Sequence, residues 1–176
     1  MVHYTLHIEH DTGVMLSTTL LVTDECLRLT RWLRLLGYDA AAQAARPLEA
    51  LYLRAVNENR TIVTRTRAVH GGELVRVVTL RAHTRTDQLA EVLRALGDAV
   101  EDSSAFSRCV RCNTGLEPAE KAAVRTRVPA YVYETQSAFT ACAGCGRIYW
   151  SATHWQRARA VMADVAARLQ STPRHA

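Results

Sequence analysis

Two C-x-x-C pairs, Cys109 with Cys112 and Cys142 with Cys145, constrain this chain more than any other feature of it. They are separated by 29 residues. Each pair suits a turn that aims two thiolates at one ion, and Gly144 and Gly146 supply the backbone freedom such a knuckle needs. Together they predict a four-cysteine zinc ribbon over residues 107–150. Because the separation exceeds the commonest ribbon spacing, the intervening segment must hold a folded excursion of its own. Four thiolates complete a tetrahedral shell with no open position, so this zinc is expected to organise the fold and catalyse nothing. A disulfide framework is the competing assignment, and it is disfavoured because the start MVHYTLHIEH lacks a secretion signal. Redox catalysis is weaker still, since neither pair opens a helix in a thioredoxin-like unit. The fifth cysteine, Cys26, falls on an apolar helix and reads as a buried, unreactive thiol. His154 is expected to pack or hydrogen-bond beside Trp155 and not to ligate the metal.

Upstream of the ribbon the hydrophobic pattern changes repeatedly between periods of 2 and 3.6. Residues 3–9 alternate as a half-exposed strand, and residues 14–22 form a more apolar, buried one. Thr23-Asp24 can cap the helix that follows, in which Leu29, Trp32, Leu33 and Leu36 share one side and Gly37 supplies the stop. A short apolar stretch at 38–42 precedes Pro47, which suits the first turn of a helix running to about residue 59. TIVT at 61–64 and ELVRVVTL at 73–80 read as further strands, and Thr86-Asp87 caps a helix ending at Gly97. Strands alternating with helices predict an α/β fold with a mainly parallel sheet and flanking helices. The expected organisation is an α/β domain at 1–97, a linker at 98–106, and the ribbon with a C-terminal helix at 107–170.

The longest nearly apolar run, at 14–22, is too short to cross a bilayer, so a cytoplasmic protein without membrane contact is expected. The net charge of +5 is uneven: residues 1–100 carry 12 basic and 11 acidic side chains, residues 101–176 carry 10 and 6. A basic excess in the ribbon half is compatible with phosphate contacts and equally with an ordinary soluble surface.

Four segments carry a resemblance: LLVTDECLRLTRWLRLLGYD at 20–39, NRTIVTRTR at 59–67, LEPAEKAAVRTRVPAYVYET at 116–135 and CAGCGRIYWSATHW at 142–155. Together they resemble the Mut-7 C-terminal ribonuclease family, a PIN-like nuclease domain carrying a zinc ribbon. The resemblance covers about residues 20–160, and its ribbon half is the more specific. It implies a PIN-like fold and cleavage of single-stranded RNA by carboxylates that hold Mg²⁺ or Mn²⁺, since hard cations need several converging oxygen ligands.

Carried over position by position, the family's first acid falls on Asp24 and its second on Glu49. The third falls on Thr66, because this sequence reads TRTR where the family reads T-R-D. Asp39, in LGYD, is retained and is expected at a strand end near the same cleft. The candidate catalytic set is therefore Asp24, Asp39 and Glu49, with Thr66 at a position where aspartate is expected. Asp24 also reads as a helix cap and Glu49 as a first-turn acid favoured by the helix dipole. Arg31, Arg34, Arg65, Arg67 and Arg147 are the candidate RNA contacts, since arginine meets phosphate bidentately. Tyr131, Tyr133, Tyr149 and Trp150 suit either base stacking or the small core around the metal.

These readings make the chain an RNA-associated member of that family with weakened or lost cleavage. Two alternatives stand beside it: an active metal-dependent endoribonuclease, and a non-catalytic module docking on a ribosome or another protein. Nothing in the sequence points to a DNA-specific partner.

Overall fold

The computed structural model describes residues 18–98, 105–151 and 153–171, without the side chains of 153–155, 157 and 171. The strand expected at 3–9 lies outside the described residues, and so do the surroundings of His154 and Trp155.

Four short strands form a parallel sheet: β1 (Thr19–Thr23), β2 (Asp39–Gln43), β3 (Thr61–Thr64) and β4 (Val77–Thr79), in the order β2-β1-β3-β4. Successive side chains on a strand face opposite ways, and the sheet is covered on both sides. Leu20, Val22 and Val63 point to one face, where they meet Leu29 and Leu33 of α1 (Leu27–Leu35) and Leu89 and Leu93 of α3 (Arg85–Leu96). Leu21 and Ile62 point to the other, against Leu51 and Ala55 of α2 (Leu48–Asn57). Burying each such leucine stabilises the fold by about 1.5–3 kcal/mol, so the two apolar layers fix the register of the sheet.

The strand expected at 73–80 is shorter, because four-residue β3 offers partners only to Val77–Thr79. The cap of α3 also differs from expectation: Thr84 caps it, accepting from the Asp87 amide at 3.2 Å, two residues before the predicted Thr86. Gly97 closes that helix with φ at +80°.

The ribbon sheet is antiparallel, with β5 (Leu116–Ala119), β6 (Phe139–Cys142) and β7 (Ile148–Trp150) in chain order. Between β5 and β6 lies the expected folded excursion, made of α4 (Lys121–Val124) and α5 (Ala130–Thr135). The final helix, α6 (Thr153–Ser171), packs on α3 and places Met162 and Val165 in the core of the α/β layer. Arg168 of α6 pairs with Asp87 of α3 at 2.6 Å. The chain thus leaves the α/β layer for the ribbon and returns to it. Among the described residues no helix is long and apolar enough to cross a membrane.

Candidate functional site

The four cysteines converge. Their sulfur atoms all lie within 4.8 Å of one another, with Cys109 and Cys145 at 3.6 Å and Cys112 and Cys142 at 3.3 Å. Local backbone bonds shape both knuckles. The Asn113 amide donates to the Cys109 carbonyl at 2.9 Å, and the Gly146 amide to the Cys142 carbonyl at 2.8 Å. The residue after each second cysteine has positive φ, +73° at Asn113 and +69° at Gly146. Gly144 is required for another reason: a Cβ there would come within 2.5 Å of the Thr114 hydroxyl on the facing knuckle. The Tyr149 hydroxyl lies 3.0 Å from the Cys109 sulfur, and the Thr114 hydroxyl 3.4 Å from that of Cys112, which draws the Cys112 thiol down to about 6. Four soft donors held this closely fit one tetrahedral metal ion and leave it no open position.

The first knuckle is also fastened to the α/β layer. Arg34 of α1 donates to the carbonyls of Ala40, Val110 and Arg111 at 2.8, 3.1 and 2.8 Å. Asn113 accepts from the Ala40 amide at 3.1 Å and donates to Asp39 at 2.8 Å. Since β2 is the edge of its sheet, the knuckle covers an edge that would otherwise expose unpaired amides. Asp39 also accepts from Arg60 at 2.6 Å, with Arg108 at 3.7 Å. Burial pushes the Asp39 carboxyl up, but the Arg60 and Asn113 hydrogen bonds and the two arginine charges hold it below its ordinary range.

At the opposite, C-terminal end of the strands a single glutamate dominates. Glu25, in a 3-10 turn (Asp24–Cys26) directly after β1, directs its Oε1 at the hydroxyls of Thr23, Thr64 and Thr66, at 2.7, 2.7 and 2.9 Å. The amides of Arg65 and Thr66 donate to the same oxygen at 2.9 and 3.1 Å. Burial would raise this carboxyl, yet these donors hold it well below the usual carboxylate range. An oxygen so surrounded has no lone pair left for a cation. Glu25 therefore fastens the end of β1 to the loop after β3. Burial and the Glu25 charge beside it push the Cys26 thiol up to about 11, which suits an unreactive buried thiol.

The structure does not bring the predicted acids together. Asp39 begins β2 opposite Thr19, whereas Asp24 follows Thr23, whose partner is Gln43. At about 3.3 Å per residue the four steps from Thr19 to Thr23 alone span about 13 Å, and Asp24 lies beyond them, so the expectation that Asp39 shares the Asp24 cleft is corrected. Its neighbour relations belong to the ribbon contact. Asp24 does not cap the helix; its Oδ1 accepts from the Ala45 amide at 3.0 Å. Glu49 is exposed in the first turn of α2. Among the described residues the cysteine set is the one group of three or more metal-ligating side chains whose donor atoms converge. Of the five candidate arginines, Arg34 is committed to backbone carbonyls. Arg31, Arg65, Arg67 and Arg147 are exposed, Arg65 lies 3.4 Å from a ring nitrogen of His83, and Arg31 and Arg147 border one cleft between α1 and the ribbon. Glu25 escaped sequence reasoning. The available signal was threonine at the ends of β1 and β3, and again at position 66, together with a second acid in TDEC.

Residues 19–162 match the Mut7-C RNAse domain. The chain belongs to this ribonuclease-domain family, with the parallel α/β sheet and the ribbon both inside the match. No curated protein and no solved structure matches it.

Proposed function

We propose that this protein is an RNA-associated member of the Mut7-C family whose metal-dependent cleavage is weakened or lost, and that its four cysteines hold a structural zinc ion. Neither Mg²⁺ nor Mn²⁺ is expected to bind firmly. The observation that carries the reading is the arrangement around Thr66. Where the family resemblance expects an aspartate, a hydroxyl donates to Glu25, and the one carboxylate oxygen gathered there is saturated by five donors. Phosphodiester cleavage through divalent ions needs oxygen ligands with free lone pairs and negative charge to offset the metal. At this end of the sheet Glu25 and Asp24 are each engaged through one oxygen, and the third acid that the resemblance implies is replaced by a hydroxyl.

RNA association is supported by the exposed Arg65 and Arg67 beside that centre and by Arg31 and Arg147 across the α1–ribbon cleft. The cytoplasm is the expected location, because four reduced thiolates suit a reducing compartment. A cleavage assay tests the catalytic part, using wild type, Asp24→Asn and Thr66→Asp purified identically on single-stranded RNA with Mg²⁺ or Mn²⁺. Negligible wild-type cleavage is expected. Robust cleavage by the wild type that Asp24→Asn abolishes would overturn this reading.

A further inference from the structure

A cavity of about 640 Å³ lies between α1, the start of α3, the ribbon sheet and α6. It is separate from the Glu25 centre and from the cysteine cluster. Trp32, Phe106 and Trp150 line it, with Trp32 and Phe106 resting on the α/β core and Trp150 standing opposite Phe139 in the ribbon sheet. Arg28, Arg31 and Arg85 also line it. All three are exposed, none forms an ion pair with a carboxylate among the described residues, and no Asp or Glu is among the described lining residues. Arg85 is held over the Trp32 ring, 4.9 Å from its centroid.

We propose that this cavity receives one unpaired nucleotide of single-stranded RNA, with the base against the aromatic wall and the phosphate on the arginines. The proposal deepens the RNA association above and rests on it. Three features select this occupant. The volume falls in the usual range of about 300–1,000 Å³ for small-molecule pockets, enough for one base with its sugar. Aromatic walls stack on the faces of any base and therefore suit sequence-tolerant single-strand binding. Guanidinium groups at the same opening, with no carboxylate among the described lining residues, call for an anion. An acidic peptide would satisfy the charge, but its carboxylates carry no planar ring to lie against the aromatic wall.

The test titrates a short 5′-phosphorylated oligouridylate into the full-length protein, following fluorescence anisotropy of a 3′-label and the intrinsic tryptophan emission. Two variants probe the cavity: Arg28→Ala with Arg85→Ala, which removes charge, and Ala138→Phe, which fills the space from an exposed lining position. Thermal melting checks that both remain folded. The expected result is tryptophan quenching by the wild type and about tenfold weaker binding in each variant, the scale of losing one stacked base or its phosphate contacts. Unchanged RNA affinity in both cavity variants, with affinity lowered by Arg65→Ala and Arg67→Ala, overturns the cavity assignment and leaves RNA association standing. Absence of oligouridylate binding at low salt overturns both. Quenching by a glutamate-rich aromatic peptide but not by the oligonucleotide overturns the nucleotide in favour of a protein ligand.

Discussion

Placing at position 66 the acid that the family resemblance implies should first harm the protein and then make it responsive to metal. Thr66 donates its amide and its hydroxyl to Glu25 Oε1 at 3.1 and 2.9 Å. Thr66→Asp replaces the hydroxyl donor with a second carboxylate at about the same separation. Two like charges about 3 Å apart repel by about 1.4 kcal/mol in bulk water and about 5.5 kcal/mol at an effective dielectric of about 20. Glu25 is exposed enough that solvent screening favours the lower part of that span. Loss of a hydrogen bond to a charged group adds about 1.5–3 kcal/mol. A net destabilisation of about 3–5 kcal/mol at pH 7 in chelator is therefore expected, corresponding to a fall of about 6–20 °C in Tm for a chain of this length. Lowering the pH should relieve it, because the pair then shares one proton. Mn²⁺ should relieve it too, returning about 2.7 kcal/mol at a hundred times its Kd, while leaving the wild type unmoved. Scanning fluorimetry with and without Mn²⁺ measures both effects. A variant as stable as the wild type in chelator, with Mn²⁺ shifting neither protein, would refute the placement of Glu25 against residue 66.

The remaining expectations concern the ribbon, the Asp39 cluster and the basic surface. Purified protein should contain about one tightly held zinc by elemental analysis, and Cys109→Ser or Cys142→Ser should lower the cooperativity and midpoint of unfolding of the whole molecule, because the first knuckle is bonded to Arg34 and Asp39. Asp39→Asn should cost about 1–3 kcal/mol at pH 7, since it weakens a mostly buried pair. The Asp39 carboxyl titrates below its ordinary value near 3.8 in the folded protein, so its contribution is complete above about pH 4 and disappears as pH falls through the lowered folded value. Urea midpoints from pH 6 to 2 should accordingly converge for wild type and Asp39→Asn at the acid end; a constant gap would contradict the assignment. RNA affinity should fall steeply with salt, and each of Arg65→Ala and Arg67→Ala should flatten the log–log slope by about 0.7 if it meets a phosphate. Slopes indistinguishable from wild type would remove those arginines from the interface.

The parallel sheet was legible because each strand is a short apolar run between helical repeats. The four-cysteine site was legible because ligand chemistry leaves so few residue types for two C-x-x-C turns. Length and capping were less so. Whether residues 73–76 join a strand depends on how far β3 extends to meet them, and whether Thr84 or Thr86 caps α3 depends on which backbone leaves the turn extended. Neither is written in local composition. Glu25 was hidden for a different reason. Its partners are Thr23 beside it and Thr64, Arg65 and Thr66 some forty residues away, so its role exists only once β1 and β3 are adjacent.

Asp39 marks the difference between a retained residue and a retained role. The family order made it a candidate for the acidic cleft, yet parallel pairing with Thr19 puts it at the end of the sheet where β strands begin. There its carboxylate answers the cations Arg60 and Arg108 and the amide of Asn113, while the Asn113 carbonyl takes the β2 edge amide. These contacts make the metal knuckle part of the sheet's boundary. The C-terminal helix has the same consequence from the other side, because Met162 and Val165 lie in the α/β core after the ribbon has been traversed. The ribbon is therefore tied to the α/β layer at its first knuckle, at Phe106, whose amide donates to the Leu35 carbonyl, and through α6. A cavity with walls from α1, α3, the ribbon and α6 depends on that restraint, so a metal held by the four cysteines would preorganise the surface proposed to meet RNA.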